Sequence, residues 1–412
     1  MTRVSKHTMT DLKQMQSLPL SDKIKMTERR IQEWIDEFGT DGVYVSFSGG
    51  KDSTVLVDIV RNRMGYKEIP LVFVDVPTQY PELKEFVKRF DNIVILSPRI
   101  SFMDVCAKYG FPLISKETAD IVADAKKYFD ALLKRGTALA ETKKIPYACA
   151  MADLIGIDCR TDKNNDIYRM LREGAIPHFS DIYEELKNNN IKVTAKTDIL
   201  FGKYIHKEHG VPTDEYSKQY DKSKYSFMLD APFLVSGACC REMKKKPIHQ
   251  YSKETGRQGI TAQMADESRL RASTWMKNGC NAFNAKDPVS NPLSVWLEQD
   301  ILKYIKENNL PICSVYGDVI YDESDQCDGQ MSIIDYGLAE ENRTLRTTGC
   351  SRTGCMLCGF GCHLEKSPNR FEMLHETHPK MYALLDVVKN NGVTMREAIE
   401  WINEYGNMNI KL

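Results

Sequence analysis

A glycine pair between a buried strand and a helix constrains this chain more than any other feature. Val43-Tyr44-Val45-Ser46-Phe47 reads as the strand, Ser48-Gly49-Gly50-Lys51-Asp52-Ser53 as a turn, and residues 54–61 as the helix leaving it. Two glycines let backbone amides crowd around an anion, and the helix start presents unpaired N–H groups and a positive dipole end. Lys51 adds a charge; Ser48 and Ser53 add hydroxyl donors. The turn reads as a phosphate cradle, against the plainer possibility of a tight turn with no ligand. It is not the common P-loop, because Val45 stands where GxxxxGK[ST] needs glycine and Asp52 follows the lysine. The dinucleotide pattern GxGxxG is absent as well.

The flanking pattern sets the fold. Residues 70–75 read as a second strand, Tyr80-Pro81-Glu82 opens a second helix with proline in its first turn, and residues 93–96 read as a third strand. Strands alternating with helices at this spacing imply parallel strands with helical crossovers. We expect an α/β fold: a doubly wound, mostly parallel sheet with a helical insertion and a cysteine-rich C-terminal module. Its ligand crevice belongs at the carboxyl ends of the strands. The expected division is an N-terminal helical segment over residues 1–40, carrying an apolar stripe at Ile24, Ile31, Trp34 and Ile35, and the first part of the α/β core over 41–116. A mainly helical, charged insertion covers 117–230, and the second part of the core covers 231–320. The cysteine-rich module covers 321–370 and C-terminal helices 371–412. Within the second part, Phe233-Leu234-Val235 and residues 259–262 read as strands, a helix begins near Cys239-Cys240, and residues 293–309 read as an amphipathic helix. Thr394 with Glu397 forms a capping box for the last helix.

Formal net charge is −1, so no global field draws the chain to nucleic acid, although a local basic patch is compatible with it. No apolar run reaches the ~18 residues needed to span a bilayer, and the N-terminal residues lack the apolar core of a signal peptide. The expectation is a soluble, cytoplasmic protein. There are 12 cysteines, more than packing needs in a reducing compartment, which points the clustered ones to metal or redox chemistry. Cys350, Cys355, Cys358 and Cys362 crowd into one short stretch, and Cys239 and Cys240 are adjacent. A Cys₄ zinc ribbon ordinarily uses two CxxC pairs, and only Cys355–Cys358 supplies one. Cys106, Cys149, Cys159, Cys280, Cys313 and Cys327 read as packed thiols.

The turn SGGKDS after a buried strand resembles the pyrophosphate loop of PP-loop ATP pyrophosphatases and of the phosphoadenosine phosphosulfate (PAPS) reductase family. Val74-Asp75 with Tyr80-Pro81-Glu82 is similar to that family's VDTG…FPE, and Cys239-Cys240 with Lys244 and Pro247 to its CCxxRKxxP. Asp266-Glu267-Ser268 with Arg271 resembles ES..R, Asn291-Pro292-Leu293 with Trp296 and Leu310-Pro311 resembles PLxxW…LP, and Cys355-Met356-Leu357-Cys358 matches its CxxC. The matches run in family order over about residues 40–110 and 235–365. The resemblance implies an adenine nucleotide alpha hydrolase-like fold and ATP or PAPS as ligand. It implies phosphate contacts from Ser48, Gly49, Gly50, Lys51 and Ser53, Mg2+ organised by Asp52 and Asp75, and charge stabilisation by Lys244 and Arg271. It also implies a [4Fe–4S] cluster on Cys239, Cys240, Cys355 and Cys358. A rival set is Cys350, Cys355, Cys358 and Cys362; zinc in place of the cluster, or no metal at all, is also compatible with the spacing.

The sequence departs from the reductases in three ways. Their nucleophilic tail cysteine, within ECG[IL]H, has no counterpart after Cys362; Met264 and Met243 stand where the family pattern carries arginines; and the phosphate loop is complete where theirs is often degraded. A complete loop suits ATP cleaved between its α and β phosphates, as in enzymes that activate an oxygen and replace it with sulfur. The leading expectation is therefore ATP-dependent sulfur transfer, with PAPS or adenylyl-sulfate reduction to sulfite as the second. A non-catalytic nucleotide and redox sensor is the third. Thioredoxin or a cysteine desulfurase, a nucleic acid acceptor and a second copy of the chain are the partners these readings suggest. Arg343, Arg346 and Arg352, around the cysteine loop, would suit an acidic backbone.

Overall fold

Short β-branched and aromatic runs build the central sheet of the first of two units. The computed structural model describes residues 6–208, 211–322 and 343–412. The chain divides into Met1–Arg99 with Glu242–Cys355, and Ile100–Arg241 with Met356–Leu412.

In the first unit, α1 (Leu20–Phe38) leads into β1 (Val43–Ser46), and α2 (Lys51–Asp58) follows the glycine turn. Then come β2 (Leu71–Val74), α3 (Pro81–Val87), β3 (Ile93–Leu96), β4 (Gln258–Ile260), α4 (Arg269–Asn278), β5 (Val289–Ser290) and α5 (Glu298–Glu307). The five strands form one sheet in the order β3-β2-β1-β4-β5, and each neighbouring pair is parallel. All four residues of β2 are buried, as expected of a parallel strand covered on both faces. The strand order runs one way from β1 to β2 and β3, and the other way to β4 and β5. The topological switch therefore falls between β1 and β4, where such sheets open a crevice at their carboxyl ends.

The core gathers Ile31 and Trp34 from α1, Val43 and Val45 from β1, Leu56 from α2 and Trp296. Trp296 Nε1 donates to Thr27 Oγ1 at 2.9 Å. The helix expected over 293–309 starts only at Glu298, because Ser294 and Trp296 close turns back to Asn291 and Leu293 and so seat the indole. The strand expected at 259–262 is present as β4.

The second unit is mostly helical. Its longest element, Lys116–Lys143, is capped by Ser115, whose Oγ accepts from Thr118 N–H at 3.1 Å. Shorter helices follow at Tyr147–Ile155, Asp166–Arg172, Phe179–Asn188 and Ala195–Leu200, with a hairpin of Ile205–Glu208 and Val211–Tyr216. The strand expected at Phe233-Leu234-Val235 does not form. Val235 makes one isolated bridge to Phe111, and Phe233 packs between Phe111 and Trp401 at ring-centroid distances of 5.9 and 5.5 Å, so the run is apolar for ring packing. The capping box at Thr394 is present, with the helix Met395–Gly406 behind it. No helix among the described residues is long and apolar enough to cross a membrane.

Candidate functional site

The turn after β1 needs glycine at its second position. Gly49 has φ +73, and a Cβ there would lie 2.9 Å from Val87 Cγ2 on α3, so both backbone conformation and space exclude a side chain. Gly50 ends the turn as the N-cap of α2. Hydroxyls hold the loop: Ser48 Oγ and Ser53 Oγ are 3.0 Å apart, Ser53 Oγ receives the Ser48 N–H at 3.2 Å, and the Gly50 N–H points to Ser48 Oγ at 3.3 Å. Lys51 N–H, at the start of α2, donates to Tyr316 Oη at 3.1 Å.

A second segment of the same unit closes over this turn. Lys51, only 3% exposed, donates through Nζ to the Ser351 carbonyl at 2.8 Å and pairs with Glu298 on α5 at 3.2 Å. Tyr316 Oη and Thr353 Oγ1 are 2.7 Å apart. The stretch leading to Cys355 is thus fastened to the glycine turn by backbone and hydroxyl contacts. A small cavity of about 100 Å³ remains, with Lys51, Asp52, Met264, Glu298, Arg352 and Thr353 in its wall. It shares Ser48, Asp52 and Glu267 with a larger cavity of about 1000 Å³. The larger one lies along Tyr44 and Ser46 of β1 and Gly259 of β4, at the switch point, with Lys245, Lys253 and Arg271 on its wall. A volume of this size holds a nucleotide.

The electrostatics are uneven. Asp52 Oδ1 is buried, accepts no hydrogen bond, and lies 3.8 Å from Lys51 Nζ. Burial raises the Asp52 pKa above the ordinary carboxylate value; Lys51 opposes that, Glu298 adds to it, and Arg352 opposes it. Burial lowers the pKa of Arg271, and neighbouring Arg352 lowers it further; Arg271 is ion-paired with Glu267. Because Asp52 binds its proton more tightly folded than unfolded, stability falls as pH rises through the unfolded value and on to the folded one. Asp52→Asn should therefore raise the melting temperature at pH 7, with the gain vanishing well below pH 4. Melts of both proteins across that window check it, and a gain independent of pH would refute the assignment.

The other expected site residues are placed as follows. Asp75 follows β2 directly and pairs with Lys84 of α3 at 2.5 Å, which serves the strand-to-helix connection. Lys245, the neighbour of Lys244, lines the large cavity, and Lys244 is not on that wall. Cys350 Sγ stands 3.8 Å from Tyr80 Oη, and Cys355 bridges to Gln79, both within the first unit. Cys239, Cys240, Cys358 and Cys362 belong to the second unit. There Arg370 donates to the Cys358 carbonyl at 2.8 Å, and burial pushes the Cys362 thiol up to about 12. Of the thiols read as packed, Cys106, Cys280 and Cys313 are buried, Cys149 and Cys159 are partly exposed, and Cys327 lies outside the described residues.

Two groups test differently for fit. The buried, unbonded oxygen of Asp52 beside the glycine turn suits Mg2+, a hard cation taken by carboxylates together with phosphates. For an iron–sulfur cluster the thiolates have the right chemistry. Yet among the described residues no three His, Cys, Asp or Glu side chains stand together as a metal-binding group. Sequence reasoning missed Tyr316, Glu298 and Thr353, which no local pattern marks; it had noticed Arg352 only as a flank of the cysteine loop.

Comparison with known families matches the phosphoadenosine phosphosulfate reductase domain over residues 42–116 and 179–359. The two matched stretches carry the glycine turn, the sheet and the Cys355–Cys358 pair, and leave residues 117–178 unmatched. Comparison with curated proteins finds no match.

Proposed function

Because the chain belongs to the phosphoadenosine phosphosulfate reductase family, nucleotide-binding enzymes of sulfur metabolism, we propose that it binds ATP and spends its α–β phosphate bond on sulfur transfer to an acceptor. One observation carries the reading: a complete phosphate turn, with buried Lys51 at its helix start, opens into a nucleotide-sized cavity at the switch point of the sheet. Met264 supports ATP over PAPS. It is 3% exposed, sits in the wall beside the turn, and offers no charge where the family pattern has arginine.

In this mechanism the ATP phosphates take over the donors that Ser48, Ser53 and Tyr316 now occupy. An acceptor oxygen attacks the α-phosphorus, the bond to the bridging oxygen breaks, and pyrophosphate leaves with its electron pair. Lys51 and Arg271 offset the charge that grows on the departing group. Sulfide-level sulfur, supplied by a desulfurase or another donor, then displaces AMP from the acceptor as the new bond to sulfur forms. Mg2+ held by Asp52 would neutralise phosphate charge when bound. Asp75, paired with Lys84, belongs to the proposal as a second carboxylate for Mg2+, and Lys244, beside the Lys245 of the cavity wall, as a further charge-stabilising residue. A [4Fe–4S] cluster on Cys239, Cys240, Cys355 and Cys358 belongs to the proposal on donor chemistry alone, and no step passes through it. A cytoplasmic location belongs to it on the same terms.

Reduction of PAPS is the second reading, favoured by the family's own description. The two separate in one experiment on anaerobically purified protein. Sulfur transfer predicts pyrophosphate from ATP and Mg2+, dependent on an acceptor fraction and a sulfide source; reduction predicts sulfite from PAPS with thioredoxin. Sulfite without pyrophosphate would overturn the ATP reading. Broad visible absorbance that disappears in Cys355→Ser is the expected sign of the cluster, and colour that persists would remove Cys355 from it.

A further inference from the structure

The family match skips residues 117–178, and a large cavity outside the nucleotide site draws much of its wall from that stretch. It measures about 710 Å³ and lies wholly in the second unit. One face of the helix Lys116–Lys143 forms a side of it: Asp120, Ala123, Lys127, Ala131 and Lys134 recur every three or four residues and so point the same way. The opposite wall is the segment Phe233–Ser236 with Ala238 and Arg241, which runs straight through the Cys239-Cys240 pair. Asp120 joins the two walls, accepting the Gly237 N–H at 2.8 Å. A Cβ on Gly237 would stand 2.6 Å from the same carboxylate oxygen, so a larger residue there would push the Asp120 side chain aside.

The charge of this wall is opposite in sign to that of the whole chain. Six cations line it (Lys108, Lys126, Lys127, Lys134, Lys196 and Arg241) against three carboxylates, while the chain as a whole is at −1. Two of the carboxylates are already used: Asp124 pairs with Lys196, and Asp120 holds Gly237. Lys126 is also committed, to the Leu229 carbonyl at 3.1 Å and the face of Phe179. Lys127 and Lys134 stand exposed on the helix, and the ring of Tyr109 lies between Lys108 and Arg241, 5.2 and 5.6 Å from them. Aromatic and apolar side chains, Tyr109, Phe233 and Met228, complete the wall. Lys127 and Lys134, two turns apart on the helix with Asp130 between them, stand beside a partly apolar floor, a combination that suits a phosphate group attached to an organic body.

We propose that this cavity is a second anion site, which takes a phosphate ester and holds the acceptor of the sulfur-transfer reaction. The binding claim stands alone; the acceptor role rests on the reading in the preceding subsection. A phosphomonoester and one phosphate of a nucleic acid strand share the chemistry, and the test separates them. Full-length protein is titrated, without ATP, against a fluorescent single-stranded twelve-nucleotide probe and, separately, against ribose 5-phosphate. The comparison proteins are the double variant Lys127→Glu/Lys134→Glu and the control pair Lys380→Glu/Lys389→Glu, exposed in the same unit and absent from the cavity wall.

At least one of the two probes should bind, and the cavity variant should weaken it tenfold or more while the control leaves it unchanged. If the strand is the ligand, losing two phosphate contacts should also flatten its salt dependence by about 1.4 in log–log slope. Loss confined to ribose 5-phosphate would support the site and name a small ester as its source. Equal loss in both variants, or no binding of either probe, overturns the proposal. ATP affinity should be intact in the cavity variant, and the strand or ester should still bind Lys51→Ala. A protein that binds its probe but never releases pyrophosphate would keep the site and discard only the acceptor role.

Discussion

Lys51→Ala is expected to weaken ATP binding by roughly a hundredfold, the loss that follows when a buried charged donor of about 3 kcal/mol is removed. Lys51 is nearly inaccessible, stands at the first position of α2, and directs its ammonium between Ser351 and Glu298. Its charge adds to the dipole of the helix it starts. Pyrophosphate release should fall at least as far, because the lysine also faces charge that grows only as the bond breaks. The competing role is mechanical: Lys51 fastens the stretch leading to Cys355. Calorimetric titration with ATP separates the two, together with a melt of the same variant. A lower melting temperature with unchanged ATP affinity would make Lys51 a structural fastener and remove the cradle.

The parts of this site that were legible in the sequence are local. A glycine pair between a β-branched strand and a helix declares a tight turn with exposed amides, and no long-range knowledge is needed to place Ser48 to Ser53. The strands β1, β2 and β3 were legible because each is a short apolar run set off by turn residues or by a neighbouring helix. What escaped was long-range or depended on register. Tyr316 reaches Lys51 across 265 positions, and its sequence surroundings look like any loop. Glu298 reads as the solvent side of an amphipathic helix until α5 is packed against α2. Lys245, next to the Lys244 read as a charge-stabilising residue, lines the large cavity, and both fall in the π-helical turn Arg241–Lys245, which no spacing in the sequence announces. Phe233 and Val235 have strand chemistry, but Phe233 packs against the rings of Phe111 and Trp401 and Val235 makes only an isolated bridge. The cysteines show the same limit: their spacing proclaims thiolate chemistry, yet it cannot say which of them share a unit of the fold.

Asp300→Ala should destabilise the first unit by about 3–5 kcal/mol. Asp300 Oδ2 receives Lys23 Nζ at 2.6 Å and the Leu297 N–H at 2.7 Å. It therefore neutralises a lysine that is only 1% exposed and caps the start of α5. Without it, the buried Lys23 side chain loses its carboxylate partner, and α5 loses a cap worth about 1 kcal/mol. Trp34, Trp275 and Trp296 all lie in the core of this unit, so denaturant unfolding followed by tryptophan fluorescence reports on it directly. The double variant Lys23→Met/Asp300→Ala should recover most of the loss, since an apolar chain of similar length fills the space without a charge. Only the cost of the cap should persist. The effect reaches the phosphate turn as well, because α5 begins with Glu298 and a frayed first turn would release the carboxylate that holds Lys51. ATP affinity in Asp300→Ala should fall below that of the folded wild type even where the variant is fully folded, and return in the double variant only to the extent that the first turn of α5 re-forms. A loss below about 1 kcal/mol in Asp300→Ala would mean that water reaches Lys23, and with it the argument that this ion pair supports the nucleotide site would fail.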